Sequence, residues 1–388
     1  MTNSSHTPRW RLLLMAVVGV LLIAGCGGGA GQAGGGRANQ PPPVAKIAYQ
    51  PGPGAGEVSP TAPARVSVSQ GKLDDVKLTN PDGQQVKGQL APDGRSWAAG
   101  EPLGYGKSYD WSGTATGTDG KQVPVQGSFR TVQPKQTPRA TVNPTDNNQV
   151  GIAMPISVKF DAPVKDKKAA QRALSVQTSV PTEGAWSWLN DRQVDWRPKQ
   201  YWAPNTKVTV RANLYGVDYG GGNWGKSDVS STFTIGRAQV VRANVPSHRI
   251  SVVQDGREIG NYDASYGKDG DPNSATPNGT FMVMEKQPVV LMSSQSGGYF
   301  NIPENWALRL SNHGEFIHEN KANSANIGER NTSHGCINLN VGDAKAYFDS
   351  AMVGDPVEVT GSSVTMPPKF DVYDWLVPWD QWLAKSAA

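Results

Sequence analysis

Cysteine and histidine are nearly absent from these 388 residues: there are two cysteines, Cys26 and Cys336, and five histidines. Two cysteines at opposite ends of a chain exclude a disulfide framework and leave no cysteine-based zinc spacing. Charged residues are also few, at 18%, and nearly balanced. The formal net charge is +4, with Arg9 and Arg11 contributing from the extreme N-terminus. That distribution offers no basic face for nucleic acid, and this partner class is excluded. The most extended apolar run, Leu12 to Ala24, is too short for a permanent bilayer span. Glycine (44) and proline (29) are plentiful, a balance that favours turn-rich β structure over long helices.

Arg9 and Arg11 ahead of the apolar run read as a secretion signal over residues 1–25. The run ends Leu22-Ile23-Ala24-Gly25-Cys26, which resembles a bacterial lipobox, with Cys26 as the lipidated first residue of the mature chain. The alternative is an ordinary signal peptide with an incidental cysteine. Residues 26–43 then form the anchor and a flexible tether of about 20–25 Å. The expected location is the extracytoplasmic face of the cell membrane. With Cys26 assigned to lipid, Cys336 has no partner, and a reduced cysteine in an exported protein calls for a chemical reason.

The fold expected is mainly β. Residues 44–133 carry short alternating runs between turn signals: Arg65–Ser69, Val76–Thr79 before Pro81-Asp82-Gly83, Gln85–Leu90 before Pro92-Asp93-Gly94, Ser108–Ala115 and Val123–Val132. Such spacing points to a β-sandwich. After a linker at Pro134 to Pro138, a second unit over 138–237 repeats the pattern: Trp97 precedes Tyr109 by 12 residues and Trp196 precedes Val208 by 12. Two immunoglobulin-like domains in tandem are expected. Gly220-Gly221-Gly222-Asn223 lacks the Lys-Ser/Thr of a phosphate loop and reads as a plain turn.

A third unit, 238–361, opens with two alternating runs, His248–Asp255 and Glu258–Tyr266, around Asp255-Gly256, a hairpin signal. A turn at Thr276 to Gly279 leads to a strand over Phe281–Glu285, and the stretch from Val289 to Gly314 reads as a long lid loop. A helix capped by Asn340, with Asp343 at its third position, turns Ala344, Tyr347, Phe348 and Ala351 inward and stops at Gly354. Pro356–Thr360 returns as a strand. The tail, 362–388, holds Trp375, Trp379 and Trp382 around Pro378, suited to packing against the protein or stacking on sugar.

The chemistry concentrates in Phe316-Ile317-His318-Glu319 and, after 14 residues beyond His318, Ser333-His334-Gly335-Cys336-Ile337-Asn338. A thiol is a weak nucleophile at neutral pH until a base is placed beside it, and His318 and His334 are the imidazoles available. Gly335 allows close approach to the backbone, and amides around Gly335 and Cys336 are suited to an oxyanion. These are the parts of acyl transfer. His313, His318 and His334 as a zinc triad would leave Cys336 unexplained and match no zinc spacing. A structural cysteine beside satisfied histidines is the plainer alternative. His248 is expected at the surface at a strand end.

The spacing His318, 14 residues, Ser333-His334-Gly335-Cys336-Ile337-Asn338 resembles the signature of the L,D-transpeptidases with a YkuD-type catalytic domain. The lipobox, the paired Ig-like units and the Trp-rich tail resemble the actinobacterial, including mycobacterial, members. The resemblance implies a β-rich catalytic domain in which Cys336 is the nucleophile, His318 its base and acid, and the Glu319 backbone carbonyl the group that orients the imidazole. Ser333, His334 and Gly335 would shape the oxyanion side. Tyr299, Met292, His313, Gly314 and Asn338 would contact substrate, with Phe300 the alternative to Tyr299 at the lid. Two positions depart from the pattern: Glu319 follows the histidine where many relatives have Ser, and His313-Gly314 stands where Ser-Gly is common. The implied substrates are peptidoglycan tetrapeptide stems as donor and acceptor, joined through their third residues with release of D-alanine. Carbapenems would acylate the same thiol, and neither metal nor organic cofactor is implied. Hydrolysis as an L,D-carboxypeptidase, or a non-catalytic lipid-anchored wall-binding protein, are the alternatives.

Overall fold

The computed structural model describes residues 43–294, 298–369 and 371–387. The leader, Cys26 and most of the tether lie outside the described residues. Among those described, no helix is long and apolar enough to cross a membrane.

Three apolar cores follow one another along the chain. The first lies between a sheet ordered Lys46–Gln50, Arg65–Ser69, Ser96–Ala99, Gly88–Leu90 and a second ordered Gly127–Arg130, Ser108–Ser112, Lys77–Thr79. The next unit repeats that arrangement with Ala140–Asn143, Ile156–Phe160, Gln193–Pro198, Gly184–Asn190 against Gln149–Val150, Val229–Ile235, Lys207–Ala212, Leu174–Thr178. The repeated tryptophans occupy matching places. A Cβ on Gly88 would come within 2.0 Å of the Trp97 ring, and one on Gly184 within 2.1 Å of Trp196. In each sandwich a glycine on the edge strand therefore makes room for the indole of its neighbour.

Two expected strands are broken. Ser108–Ala115 divides at Gly113, whose φ of 136° and approach to the Asp75 carbonyl carry the chain into a separate three-stranded sheet. Val123–Val132 divides ahead of Gly127, at φ 144°.

The third core sits against a nine-stranded sheet. Its strands are β1 (Gln239–Asn244), β2 (Arg249–Gln254), β3 (Arg257–Ser265), β4 (Gly279–Met282), β5 (Glu285–Ser294), β6 (Tyr299–Arg309), β7 (Phe316–Glu319), β8 (Ile337–Leu339) and β9 (Pro356–Thr360). They are ordered β4-β9-β1-β2-β3-β8-β7-β6-β5. The turn between β2 and β3 is Asp255-Gly256, both at positive φ as a tight hairpin turn requires. Helix α1 (Val341–Ser350) buries Ala344 and Tyr347, and Trp306 packs on Phe348 at 5.4 Å. Asn340 occupies the N-cap without a side-chain capping bond. The helix ends at Ser350, ahead of Gly354, because Ala351 is already extended. His248 lies outside the strand expected to begin with it, in left-handed conformation, its Nδ1 2.9 Å from Asn331 Oδ1.

The stretch from Val289 is not a loop. β5 and β6 form a long antiparallel ribbon at the edge of the sheet. Pro288 is tolerated there because β5 is an edge strand with one face of its hydrogen-bonding ladder open.

The tail packs on both neighbours: Met366 and Val372 enter the third core, and the tryptophans reach the second sandwich. Trp375 Nε1 donates to the Ala153 carbonyl and Trp382 Nε1 to that of Ala185, at 2.8 and 2.9 Å. The Arg197 guanidinium sits 4.8–4.9 Å from the rings of Trp375, Trp379 and Trp382.

Candidate active site

The parallel pairing of β7 with β8 creates the site. Ile317, His318 and Glu319 lie opposite Ile337, Asn338 and Leu339, so His318 and Asn338 are register partners on neighbouring strands. The 14-residue spacing is the length needed to leave β7, form the short turns of 321–326 and return parallel to it. The return places Cys336 immediately before β8.

His318 is buried, and its ring is held on both sides. Nδ1 lies 2.6 Å from the Glu319 carbonyl oxygen and 3.3 Å from Glu304 Oε2. Nε2 lies 2.9 Å from Asn338 Nδ2. Burial alone would lower the basicity of the ring. Hydrogen bonding to Cys336 and Glu304, together with their charges, overrides it and pushes the imidazole up to about 10. The free Cys336 is nearly buried, and its Sγ donates to the Gly314 carbonyl at 3.4 Å.

The sequence-predicted residues gather around a cavity of about 370 Å³ lined by Met292, Tyr299, Ser333, His334, Cys336 and Asn338, with Glu304 and His318. Tyr299 and Met292 descend from the β5–β6 ribbon onto Cys336. The neighbouring Phe300 is 77% exposed, so Tyr299 is the ring that covers the site. The Tyr299 ring lies 6.1 Å from that of His334. Ser333 Oγ donates to the Cys336 carbonyl at 2.6 Å and accepts the Gly335 N–H at 3.2 Å, while Gly335 itself takes φ 116°, where a Cβ would be strained. Gly314 reaches the site through its carbonyl. His313 turns to Glu315 Oε1 at 2.8 Å and is not among the residues around the cavity. The three histidines do not converge, and no metal-holding cluster is found among the described residues. Asn338, buried with both amide ends occupied by protein groups, meets the cavity beside the imidazole.

Sequence reasoning missed Glu304 and the asparagines of the 320–326 turn. Glu304 is the single glutamate of β6 and carries no distinguishing signal in the sequence. The asparagines at 320, 323 and 326 do recur at three-residue spacing, which places them on one side of a tight helical turn.

The profile for the L,D-transpeptidase catalytic domain matches residues 238–359, and that for a bacterial Ig domain matches 55–218, running across both sandwiches. The chain is 45% identical to L,D-transpeptidase 5 of Mycobacterium tuberculosis over 90% of its own length and 78% of the relative's. It is 34% identical to L,D-transpeptidase 2 of the same species over 97% and 95%. A solved structure of LD transpeptidase LdtMt1 in complex with imipenem shares 32% identity, covering 57% of this chain and 97% of that one at a TM-score of 0.49. Identity that runs through nearly the whole chain, sandwiches included, and a catalytic-domain profile that spans His318 and Cys336 establish that this chain belongs to the L,D-transpeptidase family.

Proposed function

We propose that this enzyme forms cross-links between the third residues of peptidoglycan stems through an acyl-enzyme on Cys336. The observation that carries the reading is a free, nearly buried thiol beside a buried imidazole, at the floor of a cavity closed on one side by Tyr299 and Met292. In this reading the thiol proton passes to His318. Cys336 Sγ then forms a bond to the carbonyl carbon of the third stem residue. The C–N bond to D-alanine breaks as His318 returns the proton to the departing amine. An amine from a second stem next attacks the thioester, giving up a proton to His318 and releasing Sγ. The Glu319 carbonyl and Glu304 hold the Nδ1 side of the ring throughout, and Ser333, His334 and Gly335 shape the oxyanion side. Tyr299 and Met292 line the approach of the stem, with the Gly314 carbonyl beside the thiol.

A carbapenem carbonyl would meet the same thiol. The sandwiches at 44–133 and 138–237 act as spacers ahead of a catalytic unit at 238–361, with the 362–388 segment strapping that unit to the second sandwich. Cys26, lipidated, would tether the chain to the outer face of the membrane. Separate cores and the tail's tryptophan contacts support this division.

The test is product analysis with a disaccharide-tetrapeptide. Cross-linked dimer and free D-alanine are expected. Tripeptide alone would assign a carboxypeptidase, and no turnover would leave a wall-binding protein.

A further inference from the structure

The amide of Asn338 is oriented from two independent directions. Asn320 Oδ1 accepts the backbone N–H of Asn323 at 3.1 Å, which leaves its Nδ2 to donate to Asn338 Oδ1 at 3.2 Å. The second direction starts at Arg330. A guanidinium can only donate, and its Nη2 donates to Asn326 Oδ1 at 2.8 Å. Asn326 Nδ2 must then be the donor to Asn323 Oδ1, at 2.8 Å, where Thr332 Oγ1 adds a second donor at 2.9 Å. Asn323 Nδ2 is left to donate to Asn338 Oδ1 at 3.0 Å. With its oxygen holding two donors, Asn338 presents an N–H to His318 Nε2 at 2.9 Å. An N–H can be received by a ring nitrogen only through its lone pair. Nδ1 meanwhile faces two oxygens and carries the proton. The sulfur agrees with this assignment, because a carbonyl such as that of Gly314 accepts from S–H and repels a thiolate.

We propose that Arg330, Asn326 and Asn323 are positioning residues: a one-directional amide chain that begins on a guanidinium and ends on His318 Nε2, holding the resting pair as neutral thiol and Nδ1–H imidazole. The inference rests on the reading of His318 as the base for Cys336. Glu304, from β6, and Cys336 are the titratable groups acting on the ring, and both favour a second proton on it. The chain opposes them. It keeps Nε2 an acceptor and Cys336 unreactive towards stray electrophiles until substrate is seated.

The experiment is long-range ¹H–¹⁵N NMR of the full chain labelled at histidine, at neutral pH, paired with alkylation of Cys336 by iodoacetamide. The wild type is expected to show a lone-pair Nε2 and a protonated Nδ1 for His318. Asn323→Asp keeps shape and the bonds from Thr332 and Asn326 but sets a carboxylate against Asn338 Oδ1. Asn338 then turns over, and Nε2 becomes protonated. Alkylation should quicken, and kcat should fall on the order of 10²-fold with KM nearly unchanged, as a wrong tautomer costs a general base. Arg330 is exposed, so Arg330→Met should loosen the tautomer in a folded protein, and Arg330→Lys, also donor-only, should restore it. A protonated Nε2 in the wild type, or an unchanged lone-pair Nε2 in both folded variants, would overturn the proposal. Loss of the chain's effect while Cys336 still takes an acyl group leaves the transpeptidase reading intact. The expected tautomer with no acylation removes that reading instead.

Discussion

The tail clamp on the second sandwich and the cluster around His318 both bury titratable groups, and they do so to different ends. Beneath the second sandwich, Arg197 lies within three tryptophan rings and donates to the Val377 carbonyl at 2.9 Å, with Asp195 and Asp374 buried nearby. Desolvation raises Asp195 to about 6 and Asp374 well above the usual carboxylate range. At the active site, His318 is as deeply buried, yet every polar atom around it is directed by a neighbour and the cluster opens onto a cavity containing a thiol. Burial and displaced proton affinities are therefore common to both. The second has a free thiol, an oriented imidazole and room for a ligand, the combination that acyl transfer on a cysteine requires. The first is a clamp that fastens the tail.

The sharpest separation comes from deleting the sulfur. Cys336→Ala should reduce cross-linking by at least ~10³-fold while leaving the urea midpoint almost unmoved, measured by product analysis and equilibrium unfolding on the same preparation. Arg197→Met should do the reverse. It removes the donor to the Val377 carbonyl and the cation packed on three indole rings, and should cost about 2–3 kcal/mol of stability, with kcat retained in the protein that remains folded.

Glu304→Gln tests the site's electrostatics. Glu304 is among the groups that raise His318, so its loss lets the imidazolium release its proton at lower pH. The ring must be unprotonated to take the thiol proton, so the acid limb of the kcat profile should move to lower pH, with kcat on the plateau down about tenfold as the base weakens. The clamp's own pH signature lies in stability. A carboxyl whose folded value is raised binds its proton more tightly when folded, so Asp195 contributes stability that grows as pH falls through about 6 and is lost as pH rises through it. Asp195→Asn should flatten that slope in unfolding curves and leave turnover alone. Smallest is the lid pair: Tyr299→Ala should raise KM by the equivalent of about 1 kcal/mol, whereas Phe300→Ala, pointing into solvent, should change neither constant.

Much of this architecture is legible in the sequence. Cys336 and His318 stand out because acyl transfer restricts the residue types that can perform it, and β2, β3 and β9 announce themselves by alternation and by the Asp255-Gly256 turn. The ribbon of β5 and β6 is hidden because Pro288, Pro303 and Gly297-Gly298 are loop punctuation locally, and only the sheet edge makes the prolines harmless. Glu304 and the chain from Arg330 to Asn338 are illegible for another reason. A polar residue in a turn looks solvated until its partner, brought in from another strand, is known. The tail's tryptophans signal packing, but their partner Arg197 lies far back in the sequence.

The most direct test is intact-protein mass spectrometry of the chain after brief exposure to a disaccharide-tetrapeptide, followed by peptide mapping. A cysteine acyl-enzyme predicts a mass gain equal to the donor less D-alanine, located on the peptide containing Cys336 and absent from Cys336→Ala. An acyl group mapped to any other residue, or undiminished turnover by Cys336→Ala, would contradict it.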